Sequence, residues 1–280
     1  MINSVISKLK LKFALIILLI FCRVGHCEEK LKINITHPWL ALLASFIGGS
    51  EVEIIPLRIW NQNGDLIISE KGKILRELED GAKIIALDEN EASETGITTP
   101  NKFNIKYLYS PFPVKISALY DPSVIPFVAQ RILTALSEWD SQNYPYYQRK
   151  LAEFQARLSG SVLVGQVLKD ITVCDMGESC GILLQAAGCK IERPEEIENW
   201  QKGNFSGLRE YLDKNKSQNI ITVFDDDTPN SLRKYLSGRS DCYHWGRPTL
   251  EKDYPTFLHE QYISLWQKII AKPLPGQKRK

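Results

Sequence analysis

The chain has 280 residues, with 35 Lys and Arg against 33 Asp and Glu. Residues 1–27 hold Lys8, Lys10, Lys12 and Arg23 and no acid, so the rest of the chain sets 31 basic against 33 acidic groups, a net charge of −2. That balance predicts no nucleic-acid partner, and about 250 residues suffice for one large core or two ordinary lobes.

The N-terminal pattern is that of an export signal over residues 1–27. Three lysines precede the apolar run FALIILLIFC (13–22), after which the sequence turns polar at Arg23 and acidic at Glu28. Ten apolar residues are about half of the roughly 20 that a membrane-spanning helix needs. Gly25 and Cys27 are small enough to stand three and one residues before a cut preceding Glu28. Past that point four cysteines remain, Cys174, Cys180, Cys189 and Cys242. In an oxidising compartment they could form up to two disulfides, in any of three pairings, or serve as ligands or buried thiols.

LKINIT (31–36) alternates as a strand. HPWLALLASFIGG follows as a helix that Thr36 or His37 caps, Pro38 opens, and Gly48 and Gly49 stop. EVEIIPL (51–57) reads as a second strand, 69–80 as a helix and AKIIAL (82–87) as a third strand. Such alternation predicts a parallel sheet covered by helices. Residues 88–104 read as a polar loop, and in 105–120 Pro111 and Pro113 argue against a central strand along the full length.

Asp121 and Pro122 mark a helix start. Apolar residues at 125, 128, 132, 136 and 139, then at 147, 151, 154 and 158, keep one face through to Gly160. Unbroken, this rod would be about 57 Å long, although Pro145 could bend it. The alternation resumes with DITVC (170–174), a helix over 178–188, CKIE, a helix over 205–215, NIITVF (219–224), a helix that Thr228 and Pro229 cap, DCYHW (241–245) and a closing helix near 254–271. The expected fold is α/β: an N-terminal lobe (28–120), a linking helix (121–160), a C-terminal lobe (161–272) and a basic tail (273–280). Two such lobes place a cleft at the carboxyl ends of their strands.

Several residues stand at those strand ends. Cys174 ends a strand four residues before a helix, and is either a metal ligand or a disulfide partner. Asp225, Asp226 and Asp227 concentrate negative charge, for a cation or polar ligand or for capping the next helix. His244 follows the last strand and is a natural metal ligand near neutral pH. His37 suits a cap, and His259 a packing or surface role. Trp60, beside Arg58 and Asn61, offers an aromatic face to an anionic or polar organic ligand, or else covers the lobe. No phosphate loop, zinc-protease helix or nucleophile elbow is present in the sequence, so no catalytic residue is assigned.

Tyr120-Asp121-Pro122, the stretch Asp140-Ser141-Gln142-Asn143 with Tyr146-Tyr147, THPWLALLASFIGG (36–49), NFSGLREYLDKNKSQNIITVF (204–224) and DYPTFLHEQYISLWQKI (253–269) resemble segments of the substrate-binding proteins of zinc and manganese ABC importers. The resemblance implies a periplasmic receptor, not an enzyme, that carries zinc, manganese, a metal chelate or another small solute to an inner-membrane permease. A noncatalytic accessory protein that kept the fold without a metal site is the alternative. Where the family places its ligands, this sequence has Asn61 or Gln62, Ser117, Cys174 followed by Asp175, and a position near His244, with Asp225 or Asp175 able to add oxygen. The first-lobe half of a metal site is therefore neutral and weak. No resident cofactor is implied.

Overall fold

The computed structural model describes residues 30–61, 64–70, 78–97, 102–109, 119–177 and 179–271. The export segment, most of the helix expected over 69–80, Gln62, Ser117 and the basic tail lie outside these residues.

β1 (Leu31–Ile35) leads directly into α1 (Pro38–Gly48). His37 caps α1 by accepting a hydrogen bond from the Trp39 amide, and Pro38 fills a first-turn position where no amide partner is needed. α1 is buried nearly all round, as its Leu, Ala and Ile content requires. It ends at Gly49, whose φ of +53° favours glycine; a Cβ there would lie 2.1 Å from the Tyr146 hydroxyl.

The first sheet has the order β2 (Val52–Pro56), β1, β5 (Lys83–Ala86), β6 (Asn104–Tyr107), with β1–β5 and β5–β6 parallel. Two of its neighbours were not legible as elements. β3 (Arg58–Trp60) and β4 (Leu66–Ile68) form an antiparallel hairpin in a stretch to which the sequence reading assigns no element. α2 (Glu89–Glu94) interrupts the polar segment after β5, capped by Asp88, which accepts from the Glu91 amide at 2.9 Å.

The expected rod is two helices, α3 (Ile125–Trp139) and α4 (Tyr144–Gly165), which pack against each other. Asp140 breaks the run. Its backbone leaves the helical region (φ −149°, ψ 73°), and its carboxylate takes hydrogen bonds from the Tyr147 hydroxyl at 2.6 Å and from Asn143 at 2.9 Å. Pro145, which has no N–H to give, then suits the first turn of a new helix. Gly160 lies inside α4 and does not end it. The linking helix is thus α4 alone, about 33 Å at 1.5 Å per residue. It buries Tyr147, Leu151, Phe154 and Leu158 and packs on α1 of the first lobe and on the final helix of the second.

The second sheet is entirely parallel in the order β10 (Cys242–Trp245), β9 (Ile221–Asp225), β7 (Thr172–Asp175), β8 (Lys190–Glu192). Helices α5 (Cys180–Ala186), α6 (Ile197–Gln201), α7 (Leu208–Ser217), α8 (Asn230–Ser237) and α9 (Tyr254–Ile270) accompany it. α8 starts without a side-chain cap, because the Thr228 hydroxyl turns back to Asp225. Its core holds Cys174, Met176, Trp200, Leu212, Phe224 and Cys242. The four cysteines are free and buried. Among the described residues there is no disulfide, so the disulfide expected for Cys174 is absent: its thiol faces the Tyr211 hydroxyl, while the Cys180 thiol donates to Asp175 and the Cys189 thiol to the Leu168 carbonyl.

Candidate functional site

The carboxyl ends of the strands bring the loops of both lobes to one place. A cavity of about 370 Å³ opens there. The first lobe contributes Pro38, Ile59, Trp60, Asn61 and Gly64, and the second contributes Asp226 and the run Arg247–Glu251.

Arg247 ties the two sides together. Its guanidinium lies over the Trp60 ring, 4.9 Å from the centroid. Nη1 donates to the Gly64 carbonyl at 2.6 Å and Nη2 pairs with Asp227. Its side chain is only 8 % exposed. Asp227 also receives the Tyr120 hydroxyl at 2.8 Å and the Ser179 hydroxyl at 2.9 Å. Fork geometry and a flat cation suit Arg to this position, since it can pair with a carboxylate and stack on an indole at once. Trp60 in turn meets His37 and Trp39 edge-on. Burial, with the charges of Arg58 and Arg247, depresses His37 to about 3, so its ring is neutral and free to accept the Trp39 amide.

Arg58 points inward, where its guanidinium pairs with buried Glu91 and reaches the Thr36 carbonyl at 3.1 Å. Glu91 also binds the Thr36 hydroxyl and the Leu87 amide. Arg58 therefore braces the start of the hairpin and does not face the cavity with Trp60.

The sequence candidates divide. Trp60 and Asn61 line the cavity; Asn61 also clamps the hairpin turn, accepting from the Asp65 amide at 2.9 Å. Gln62 and Ser117 lie outside the described residues. Cys174 points into the second-lobe core, where burial pushes its thiol up to about 11 and its polar neighbour is the Tyr211 hydroxyl at 3.8 Å. Asp175 is buried with the Gly177 amide, the Cys180 thiol and Arg193; burial raises its pKa. Asp225 accepts from the Ser179 and Cys180 amides at the start of α5 and from Thr228. His244 stacks on Phe224 and bonds Asp226 at 2.9 Å. Burial works against ionisation of Asp226, but the hydrogen bond and charge of His244, with Arg247 and Arg233, hold it below the usual carboxylate range. Cys174, Asp175, Asp225 and His244 are thus each engaged by neighbours within the second lobe, and among the described residues no group of three or more His, Cys, Asp or Glu could hold a metal ion.

Arg247 and the loop to Glu251 carried no sequence signal, because they follow the last strand with neither periodicity nor a ligand-type spacing. Among the described residues no helix is long and apolar enough to cross a membrane.

Two parallel-sheet lobes, a linking helix and a cleft at the strand ends define the fold of the substrate-binding proteins of ABC importers. Solved structures make the likeness specific. The chain is similar to a Zn(II)-bound mutant variant of AdcAII of Streptococcus pneumoniae (TM-score 0.63, 14 % identity, covering 86 % of this chain and 98 % of that one). It is similar to the laminin-binding protein Lmb of Streptococcus agalactiae, described as an adhesin with metal-transporting activity (0.62, 14 %, 85 % and 99 %). A third is the substrate-binding protein FpvC of Pseudomonas aeruginosa in complex with Mn2+ (0.58, 14 %, 86 % and 97 %). No family model and no curated protein sequence matches the chain. At this identity the likeness establishes the fold.

Proposed function

We propose that the chain is a solute receptor for an ABC importer, and that its solute occupies the cavity between Trp60 and the Arg247–Glu251 loop. One observation carries this reading: the cavity wall is drawn from both lobes, so a bound molecule would contact both and favour one arrangement for a permease to recognise. The fold of metal-binding receptors supports the transport role. The residues at the cavity favour a small organic solute or a metal chelate, recognised through its organic shell, over a bare zinc or manganese ion. Zinc wants nitrogen, sulfur or oxygen ligands converging at about 2.0–2.3 Å, whereas Cys174, Asp175 and Asp225 are held by partners inside the second lobe. The N-terminal export signal belongs to the same proposal, with the mature protein starting near Glu28 in the periplasm. The permease's ATPase would supply the energy, and the chain itself would perform no catalysis.

A second reading, an accessory protein that binds nothing in the cleft, is favoured by the contacts of Arg247 and Tyr120, which already join the lobes. Calorimetric titration of the mature protein, freed of metal, separates the two. The receptor reading expects a stoichiometric organic or chelated solute whose binding is lost in Trp60→Ala. Stoichiometric zinc or manganese binding that survives Trp60→Ala, and is lost on changing Cys174 and His244, would overturn the choice of solute. Binding of nothing from a broad solute library would leave the accessory reading.

A further inference from the structure

Resting on the receptor reading, we infer that the solute is an organic cation: an apolar body carrying an ammonium or similar group. The inference comes from which charges at the cavity are already satisfied. Arg247 is paired with Asp227. Asp226 meets His244 and Arg233 through Oδ1, and its Oδ2 has no described hydrogen bond. Glu251, exposed at the cavity edge, has no described hydrogen bond or ion pair. Among the described lining residues the open charged acceptors are thus carboxylate oxygens, and no cationic side chain is left without an acid. The Arg247 donor without a hydrogen bond, Nε, is buried away from the cavity, so an anionic solute would have to compete with Asp227 for this guanidinium, whereas an ammonium group has three donors to offer to oxygens that want them.

The walls specify the rest of the molecule. Ile59 from the first lobe and Leu250 from the second are 36 % and 45 % exposed, on opposite sides of the same cavity, beside Pro38, Pro248 and the Trp60 ring. Apolar side chains left uncovered on both walls of a cleft mark where a ligand's hydrocarbon goes. A volume of about 370 Å³ is near the lower end of small-molecule clefts, which suits a single ring or a short chain.

Three probes of matched shape test this by calorimetry on the mature protein: 3-phenylpropylamine, 3-phenylpropanol and 3-phenylpropionate. The amine is expected to bind at least about tenfold more tightly than the acid, with an affinity that falls as salt is added. Glu251→Gln should weaken the amine by about threefold, the scale of an exposed ion pair, and leave the alcohol unchanged; Glu251→Lys should weaken the amine further. Equal or tighter binding of the acid overturns the inference, as does a Glu251→Gln variant that binds the amine normally. If none of the three binds but another solute binds in a Trp60-dependent way, the cation inference falls and the receptor reading stands. If nothing in a broad library binds, both fall.

Discussion

The guanidinium of Arg247 is stacked on the indole of Trp60, so a loop from the second lobe closes onto a hairpin of the first. The contact joins a cation that is nearly buried to a carboxylate, a carbonyl and an aromatic face at once.

Arg247→Ala would remove the stacking, the hydrogen bond to Gly64 and the partner of Asp227. The expected cost is about 2–3 kcal/mol, below the range for a fully buried pair because Asp227 keeps Tyr120, Ser179 and some solvent. Urea unfolding followed by tryptophan fluorescence measures it. Arg247→Lys keeps the charge but loses the planar fork, and should recover about half.

Gly64 is the hairpin residue that meets Arg247, and its φ is +87°. A Cβ there would lie 2.8 Å from the Asp226 carbonyl and close to Arg233 and Arg247. Gly64→Ala should therefore cost about 1–2 kcal/mol from backbone strain and reduce solute affinity as well, while the equivalent change at Gly160, where a Cβ meets nothing, should be neutral or stabilising. Comparing the two variants by thermal melting and titration checks the prediction.

His37 is neutral in the folded protein and would take a proton in the unfolded chain near pH 6.5. Its folded pKa is depressed, so the unfolded state binds more protons between about pH 6.5 and 3, and stability falls as pH drops through that window. At pH 5 the expected loss is about 2 kcal/mol relative to pH 8 from this residue. His37→Asn keeps a capping side chain and should lose that much less on acidification, as judged by urea titrations at both pH values.

Burial pushes the thiols of Cys174 and Cys189 to about 11 and that of Cys242 to about 12, and Cys180 well above its ordinary value. Native protein at pH 8 should react with Ellman's reagent slowly at all four, and rapidly after unfolding. Prompt labelling in the native state, or an absence of thiols after unfolding without reductant, would contradict the free, buried assignment.

Much of the fold was legible because strands and buried helices write their periods directly into the sequence: LKINI, KIIA and ITVFD are strands, and the capping residue His37 stands where its helix begins. The break at Asp140 was legible only as a bend that Pro145 could introduce. The apolar spacing continues through it, and the capture of the Asp140 carboxylate by Tyr147 and Asn143, with Pro145 in the next first turn, turns one apparent rod into two helices. α2 was hidden for the opposite reason, since its burial depends on Glu91 meeting Arg58 and Thr36, distant in sequence, while its own residues read as solvated polar chain. Of the residues that line the candidate cavity, Trp60 and Asn61 were legible because they stand at a strand end. Arg247 was opaque, because its role depends on what the other lobe presents to it. Cys174 looked like a ligand because it ends a strand; pleating decides which way a side chain points, and this one points into the core.

The most direct test of the central claim is a crystal structure of the mature protein with the tightest-binding solute from the calorimetric panels. The account predicts density for one small organic molecule against Trp60, bounded by Ile59 and the Arg247–Glu251 loop. Density for an ion held by Cys174 and His244, with the Trp60 cavity empty, would contradict it.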